Sequence, residues 1–255
     1  MHIHEFGTSH PDILLMFHGS CMNWDMYKDS IEQLSQHFHV VIPALPGHDL
    51  ESTEDFISVE KTTEEIEKWL LKREYKKIFG LYGLSMGGSL ALRFLANNRI
   101  SVNKAVIDAG ITPYQLPYLL TRFIVVRDYM MIQLGRSSQK ILALAFPPEK
   151  YTKEGVGYMH RIMRHMSSKT IWRVFDSCNN YAMPSPIPII QTNVAYWYAE
   201  KEKKARKWDI DYVKKIYPQT KFRELPGLDY GEYCMMYPQK FAKDIIEYLS
   251  IINDN

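Results

Sequence analysis

The residues that could carry chemistry begin with a serine set between two glycines, Gly83-Leu-Ser85-Met-Gly87. An apolar run from Ile78 to Tyr82 leads into this motif, and a nearly all-apolar stretch from Gly87 to Ala96 follows it. This context predicts a tight strand-to-helix turn that exposes the serine hydroxyl as a nucleophile. Small residues are expected on either side because the strand and the helix pass each other closely there. A lone G-x-S-x-G motif also occurs by chance, but the flanking strand and helix favour the catalytic interpretation.

A second candidate feature is the loop His18-Gly19-Ser20, which follows the apolar run from Ile13 to Phe17. In acyl transfer the carbonyl oxygen of the substrate becomes an anion, and two preorganised backbone N–H groups stabilise it by about a few kcal/mol. The N–H groups of Ser20 and Met86 are the candidate donors for such an oxyanion hole. His18 is interpreted as a structural residue that shapes the loop, rather than as a catalytic base.

Short apolar runs alternate with helical patterns along most of the chain. The runs at residues 13–17, 40–42 and 78–82 are typical of strands buried on both faces of a sheet. Residues 105–107, 193–198 and 220–225 are interpreted as further strands. Between them, apolar residues recur every three or four positions from Trp24 to Phe38, Thr62-Thr-Glu-Glu65 predicts a capping box that opens a helix, and a last helix spans Phe241 to Leu249. The alternation predicts an α/β fold with a mainly parallel central sheet and helices on both faces.

Residues 112–188 interrupt this alternation. They are rich in Tyr, Met, Leu and Phe, with helical patches from Phe123 to Leu134 and from Tyr158 to Met166. We interpret residues 112–188 as a helical lid inserted between two strands of a core that is formed by residues 1–111 and 189–255. The apolar side chains of this lid could line a pocket for an acyl group, or they could serve only to pack the lid on the core.

The order of these motifs along the chain resembles that of the α/β-hydrolase family. His18-Gly19, Pro46-Gly47-His48 and Gly83-Leu-Ser-Met-Gly-Gly88 are followed by the lid, a strand, an acid and a closing helix, so the resemblance covers nearly the whole chain. It implies the α/β-hydrolase fold and a triad of serine, acid and histidine, in that chain order, that hydrolyses esters, amides, thioesters or related bonds. It matches Ser85 to the nucleophile, and Ser20 and Met86 to the oxyanion donors.

The acid of the family follows a strand, at the place that Ala199-Glu-Lys-Glu202 occupies in this chain. This makes Glu202 the first candidate for the acid. Glu200 is a reserve candidate, and so is Asp108 at the end of an earlier strand.

The base is where this chain departs from the family. The family's histidine is expected in a turn after the last strand, and this chain has Gly227-Leu-Asp-Tyr230-Gly-Glu232 there, with Tyr230 in place of the histidine. No histidine follows Glu202, because the nine of them lie at positions 2, 4, 10, 18, 37, 39, 48, 160 and 165. An imidazole suits the role of base because its pKa is about 6.5, whereas that of a phenol is about 10. Tyr230 could therefore act as a base only if its pKa were strongly lowered. His160 and His165 in the lid are alternatives, although lid histidines are more often packing or surface groups.

Composition and charge exclude several other classes of function. Apolar residues form 46% and charged residues 24% of the 255 residues, which is ordinary for a globular protein. The 31 basic and 29 acidic residues give a net charge of +2, too balanced for nucleic acid or an anionic membrane as the main partner. The basic run from Lys201 to Lys207 is interpreted as a solvated helix face.

The chain is expected to lie in the cytoplasm and to need no cofactor. It has no segment with the roughly 18 uninterrupted apolar residues of a membrane span, and its first residues lack the pattern of a secretory signal. The widely spaced Cys21, Cys178 and Cys234 are expected to be free buried thiols rather than metal ligands.

Two functions from different classes remain open. The first is a serine hydrolase with a weakened or atypical general base, which acts on a small or medium carboxylic ester through Ser85. The alternative is a non-catalytic protein with the same fold that binds a small apolar ligand. The Ser85 motif and the retained acid position favour the hydrolase, whereas the replacement of the base by Tyr230 favours the binding protein. The expected partner in both cases is a small molecule, and the oligomeric state is not predicted.

Overall fold

The computed structural model describes residues 1–113 and 117–251, and a seven-stranded sheet lies at its centre. The strands are β1 (Ile3–Phe6), β2 (Ile13–Phe17), β3 (His39–Pro43), β4 (Lys77–Leu84), β5 (Ser101–Asp108), β6 (Asn193–Ala199) and β7 (Lys221–Leu225). Their spatial order is β1-β3-β2-β4-β5-β6-β7, and β1 is antiparallel to its neighbour while the other neighbouring pairs are parallel. This confirms the prediction of a mainly parallel sheet.

Helices cover both faces of the sheet. They are α1 (Lys28–Leu34), α2 (Val59–Lys72), α3 (Met86–Asn97), α4 (Tyr118–Ser137), α5 (Gln139–Ala145), α6 (Pro148–Tyr151), α7 (Lys153–His165), α8 (Ser168–Asn180), α9 (Lys207–Ile216), α10 (Glu232–Met236) and α11 (Pro238–Ser250). Side chains of β2 alternate between the two layers of the core, with Leu15 packed in the layer of α2, α3 and α9 and Leu14 in the layer of α1 and α11. Because both faces are covered, every residue of β2 is buried, which explains its uninterrupted apolar sequence.

The register of the sheet brings the ends of the central strands together. Phe17 at the end of β2 lies beside Gly83 of β4, and Leu84 lies beside Asp108 at the end of β5. Farther along, Ala199 at the end of β6 pairs with Leu225 of β7. The loops that follow these strands therefore emerge at one edge of the sheet, which is where parallel α/β sheets bind their ligands.

At two elements the structure differs from what the sequence predicted. Strand β1 was not predicted, because its four residues, Ile-His-Glu-Phe, are only partly buried and lack an apolar run. The second helix does not begin at a capping box formed by Thr62 and Glu65. It begins at Val59, after Ser58, whose side chain accepts a hydrogen bond from the Lys61 N–H group and caps the helix.

Between β5 and β6 the described residues form helices α4 to α8, within the range of residues 112–188 that was predicted as a lid. Helix α4 packs against α5, α7 and α8. In the part of the chain that the structure describes, no helix is both long enough and apolar enough to cross a membrane. The division of the chain into a core and a lid stays a prediction.

Candidate active site

Ser85 stands at a strained turn between β4 and α3. Its backbone angles are φ 54° and ψ −111°, a left-handed conformation that residues with a side chain rarely adopt. The turn is held from both sides: the Ser85 N–H group donates to the carbonyl oxygen of Asp108 at 2.8 Å, and the Ser85 carbonyl accepts from the Ser89 N–H group at 3.0 Å. A strained residue that the surrounding backbone fixes in this way is typical of a functional position.

The two glycines of the motif are required by close packing. A Cβ atom on Gly83 would lie 2.2 Å from the carbonyl oxygen of Gly87, and one on Gly87 would lie 2.3 Å from the carbonyl oxygen of Phe17. Both distances are far below van der Waals contact, and the opposing atoms belong to the backbone. Only glycine therefore fits at either position.

Ser85 opens into a cavity of about 310 Å³. Most of its lining is apolar, and helices α4, α7 and α8 contribute Ile132, Met159, Met163, Val174 and Phe175. The size and lining fit a small or medium apolar group.

Both candidate oxyanion donors lie at this cavity. Ser20 follows β2, and Met86 is the first residue of α3, directly after Ser85. The first N–H groups of a helix have no acceptor within the helix, so the N–H group of Met86 could donate to an incoming anion. The roles of both N–H groups stay predictions.

His18 is buried beneath this loop in a neutral state. Its Nε2 accepts a hydrogen bond from the Leu45 N–H group at 3.1 Å, so the proton is on Nδ1, which donates to the Gly19 carbonyl at 2.9 Å. Burial, with a smaller contribution from His48, lowers the pKa of His18 to about 3. With both ring nitrogens engaged, His18 positions the loop and has no lone pair to offer to Ser85.

Tyr230 lines the same cavity as Ser85, and its phenol is close enough to Ser85 for that residue to lower its pKa. The turn that carries it is fixed by the hydroxyl group of Tyr151, which donates to the Tyr230 carbonyl at 2.9 Å, and by Asp229, whose carboxylate accepts from the Tyr230 N–H group at 2.9 Å. Burial raises the pKa of Tyr230 above that of an ordinary phenol, although Ser85 and Arg206 partly oppose this shift. At neutral pH the Tyr230 hydroxyl therefore keeps its proton.

The three candidate acids lie in different environments. Glu202 is buried, its Oε1 accepts from the Ala199 N–H group at 3.0 Å, and it is close enough for its charge to raise the pKa of Tyr230. Burial raises the pKa of Glu202 itself, against the opposing effect of Arg206. Glu200 is exposed, and its carboxylate accepts from the Gly227 N–H group at 2.6 Å.

Asp108 is buried below the Ser85 turn, where its carboxylate accepts a hydrogen bond from the Tyr82 hydroxyl at 2.8 Å. Burial raises the pKa of Asp108 to about 7. Of the three acids, Glu202 is the one whose charge acts on Tyr230.

Arg206 is a cavity residue that the sequence analysis missed. It was included in a basic run interpreted as a solvated helix face, but its guanidinium group turns inward and lies 3.4 Å from Glu202 Oε2 and 3.0 Å from Asp209 Oδ2. Burial disfavours the charged form of Arg206 and so lowers its pKa. The electrostatic effects of Asp209, Tyr196 and Glu202 are larger together, and they raise the pKa of Arg206 above its ordinary value. The spacing of Arg206 four residues after Glu202 was the available signal, since residues at this spacing face each other on a helix.

His160 and His165 do not line the cavity around Ser85. His165 instead donates from Nε2 to the Ser52 carbonyl at 3.0 Å. Cys21, Cys178 and Cys234 are free and buried. Among residues 1–113 and 117–251 no group of three His, Cys, Asp or Glu side chains could hold a metal ion.

Comparisons with known proteins agree with this architecture. The sequence model of a family described as alpha/beta hydrolase fold matches residues 12–134. The structure is similar to that of a protein from Desulfitobacterium hafniense assigned to the alpha/beta hydrolase family, with 18% identity, a TM-score of 0.78, and coverage of 98% of this chain and 100% of the other. No curated protein matches the sequence.

Two further similar structures are those of named proteins. MenH from S. aureus is 18% identical, with a TM-score of 0.70 and coverage of 97% of each chain. A thermophilic esterase from Thermogutta terrifontis is 16% identical, with a TM-score of 0.72 and coverage of 97% of this chain and 92% of the esterase. At these identities the similarity shows a shared fold.

Proposed function

We propose that this chain, which has the α/β-hydrolase fold, is a serine hydrolase acting on a small or medium carboxylic ester through Ser85. The observation that carries the proposal is the strained backbone of Ser85, with φ at 54°, at the mouth of a largely apolar cavity. A purely structural serine would relax into the helix, so the strain indicates a role for its hydroxyl group.

In the proposed reaction, the Ser85 oxygen attacks the carbonyl carbon of the ester, and the carbonyl oxygen becomes an anion between the N–H groups of Ser20 and Met86. The C–O bond to the alcohol then breaks, the alcohol takes up a proton, and an acyl group remains on Ser85. Water hydrolyses this acyl-enzyme to the free acid and restores the serine hydroxyl.

The weak step in this scheme is removal of the Ser85 proton. A neutral Tyr230 with a raised pKa donates a hydrogen bond but takes no proton at neutral pH. We therefore expect slow acylation, with the oxyanion hole and the binding of the acyl group supplying most of the rate enhancement. Those features alone retain roughly a thousand-fold or more over water when a triad is broken.

The acyl group is proposed to occupy the apolar part of the cavity. Met159, Met163 and Val174 from helices α7 and α8 line this part together with Phe175. In this scheme residues 112–188 act as a lid that supplies the acyl-binding surface, and residues 1–111 and 189–255 form the core that carries Ser85, Glu202 and Tyr230.

The alternative, a protein that binds a small apolar ligand without turnover, is favoured by one observation. Tyr230, whose pKa is raised by burial, lines the cavity beside Ser85 in the turn where the family resemblance places the base. In that case the two hydroxyl groups would be hydrogen-bonding contacts for the ligand.

Labelling with a fluorophosphonate probe separates the two functions. The hydrolase proposal predicts slow labelling of Ser85, located by mass spectrometry, and its loss in Ser85→Ala. Ser20→Ala is the matched control, because it removes another hydroxyl at the cavity but keeps the N–H group that the mechanism uses. Absence of labelling at every pH tested, with retained binding of apolar ligands, would contradict the hydrolase and support the binding protein.

A further inference from the structure

The outward side of helix α4 carries an exposed apolar surface. Its central row, which we call the α4 stripe, consists of Leu119, Phe123, Val126, Met130 and Leu134. These residues follow each other at intervals of four, three, four and four, which places them on one side of an α-helix. Leu119 and Phe123 are 74% and 75% exposed, and the other three are 46% to 52% exposed.

The exposed apolar residues concentrate around this stripe. Of the seventeen large hydrophobic residues that are exposed in the described part of the chain, ten belong to α4 and α5. Beside the stripe these include Leu120 and Met131 on α4 and Leu144, which is 84% exposed, on α5. Scattered exposed apolar residues are ordinary, but a contiguous patch marks a surface that contacts an apolar partner.

The charge around the stripe indicates the kind of partner. Residues 118–180 contain ten Lys and Arg against four Asp and Glu, a net charge of +6, whereas the rest of the chain has 21 basic and 25 acidic residues, a net charge of −4. The overall net charge of +2 hides this asymmetry. Two of the four acids, Asp128 and Asp176, are paired with arginines of the same helical segment. The segment therefore combines an apolar stripe with an excess of positive charge.

Exposed basic side chains lie on α4 itself and on the helices that pack against it. Arg127 on α4 and Lys140 on α5 are exposed. Toward the end of α4, Gln133 and Arg136 donate hydrogen bonds to the Ser168 hydroxyl, which brings the exposed Lys169 of α8 to the same side. An apolar helix face flanked by Lys and Arg is typical of helices that lie in the interface of an anionic membrane.

We propose that the α4 stripe docks on an anionic lipid surface, with its apolar side chains among the lipid headgroups and acyl chains and the flanking basic residues on the headgroup charges. A second copy of this chain is disfavoured as the partner, because a two-fold contact through α4 would place two segments of charge +6 against each other. The helix lies on the surface in this proposal, since it is interrupted by Arg122, Arg127 and Asp128 and does not meet the requirements of a membrane span.

Docking would bring lipid close to the cavity of Ser85. The opposite side of α4 contributes Asp128 and Ile132 to that cavity, and Arg127, between the two sides, also reaches it. One helix therefore separates the cavity from the docked surface. The inference concerns the outer surface alone, and it holds whether Ser85 turns over an ester or only contacts a ligand.

Sedimentation with lipid vesicles tests the proposal on the whole chain. We expect binding to vesicles of phosphatidylcholine and phosphatidylglycerol, much weaker binding to phosphatidylcholine alone, and a decrease as salt screens the charges. The double variant Leu119→Gln, Phe123→Gln should lower the partition coefficient at least about ten-fold because it removes two large apolar side chains from the contact.

Leu71→Gln, Ile189→Gln is the matched control, since it removes two exposed apolar residues outside helices α4 to α8. It should bind vesicles as the natural chain does, and because all four side chains are exposed, both variants should keep their melting temperature. Absence of binding to either vesicle type, or equal binding to both without salt dependence, would overturn the proposal. A dimer in sedimentation equilibrium that the α4 double variant dissociates, without vesicle binding, would instead assign the stripe to a second copy.

Discussion

At the scale of single residues, the chemistry of this protein depends on how burial shifts proton equilibria. Burial raises the pKa of Tyr230, Glu202 and Asp108 and lowers that of His18, so each of these groups is biased toward its neutral form. Neither Tyr230, which keeps its proton, nor His18, whose two ring nitrogens are both engaged, is a ready base for Ser85 at neutral pH. The site therefore keeps a strained serine and loses the proton acceptor that such a serine ordinarily has.

Asp108 should make the stability of the protein depend on pH. Its pKa is about 7 in the folded chain and 3.8 as an ordinary carboxyl. The folded state thus keeps a proton that the unfolded state has already lost, so the unfolding free energy should fall as the pH rises from about 4 through 7, by up to about 4 kcal/mol. Asp108→Asn, which can still accept from Tyr82, should flatten this decline.

The measurement is the denaturant midpoint between pH 4 and pH 9, with Asp211→Asn at an exposed position as the control. The control should follow the natural chain. An Asp108→Asn profile parallel to that of the natural chain would show that Asp108 does not hold its proton in the folded state.

Arg206 is expected to stabilise the fold through the two buried carboxylates that it faces. Arg206→Met leaves Glu202 and Asp209 without their cation and should lower the unfolding free energy by about 3 to 5 kcal/mol. Lys203→Met is the comparison, because Lys203 is 61% exposed and water screens its pair with Glu224, so its loss should change the unfolding free energy much less. Equal effects in urea titrations would mean that the Arg206 cluster is as weakly coupled as a surface ion pair.

At the scale of elements, the contact between β2, β4 and α3 leaves no space for a side chain around Ser85. Gly87→Ala would place a methyl group against the backbone of Phe17, so we expect a loss of at least about 2 kcal/mol of stability, with displacement of the Ser85 turn. Gly157→Ala is the matched control in α7, since its Cβ would meet only Gln139 at 3.4 Å. That variant should stabilise by about 0.5 to 1 kcal/mol. A tolerated Gly87→Ala variant would contradict the packing described for this turn.

The sequence predicted secondary-structure elements well where a pattern of residues is compatible with only one kind of element. Uninterrupted apolar runs such as Ile13–Phe17 are buried on both faces and became strands. Apolar residues at helical spacing are less informative. Their spacing shows which residues share a side of the helix, but not which side packs against the rest of the protein. The apolar residues of α4 illustrate this: Ile132 lines the cavity, while Phe123 faces outward.

At the scale of the whole molecule, the order of strands and motifs predicted the fold. Each motif could be recognised because it consists of a few consecutive residues that directly follow a strand. The site was less predictable, because its residues meet only through tertiary packing. Arg206 sits in a run of lysines and is distinguished from them only by the buried carboxylates of Glu202 and Asp209. The charge asymmetry between residues 118–180 and the rest of the chain likewise becomes meaningful only when the helices that carry it are seen on one surface.

The central claim is that the site around Ser85 is intact except for its base. The most direct measurement is hydrolysis of a short-chain aryl ester by the natural protein, Tyr230→His and Ser85→Ala, side by side and across pH. An imidazole at position 230, with Glu202 close by to orient it, should raise the Ser85-dependent rate at least about a hundred-fold and add a limb to the pH profile near the pKa of an imidazole. Vigorous Ser85-dependent turnover in the natural protein, with no gain in Tyr230→His, would contradict this account and show that another group already acts as the base.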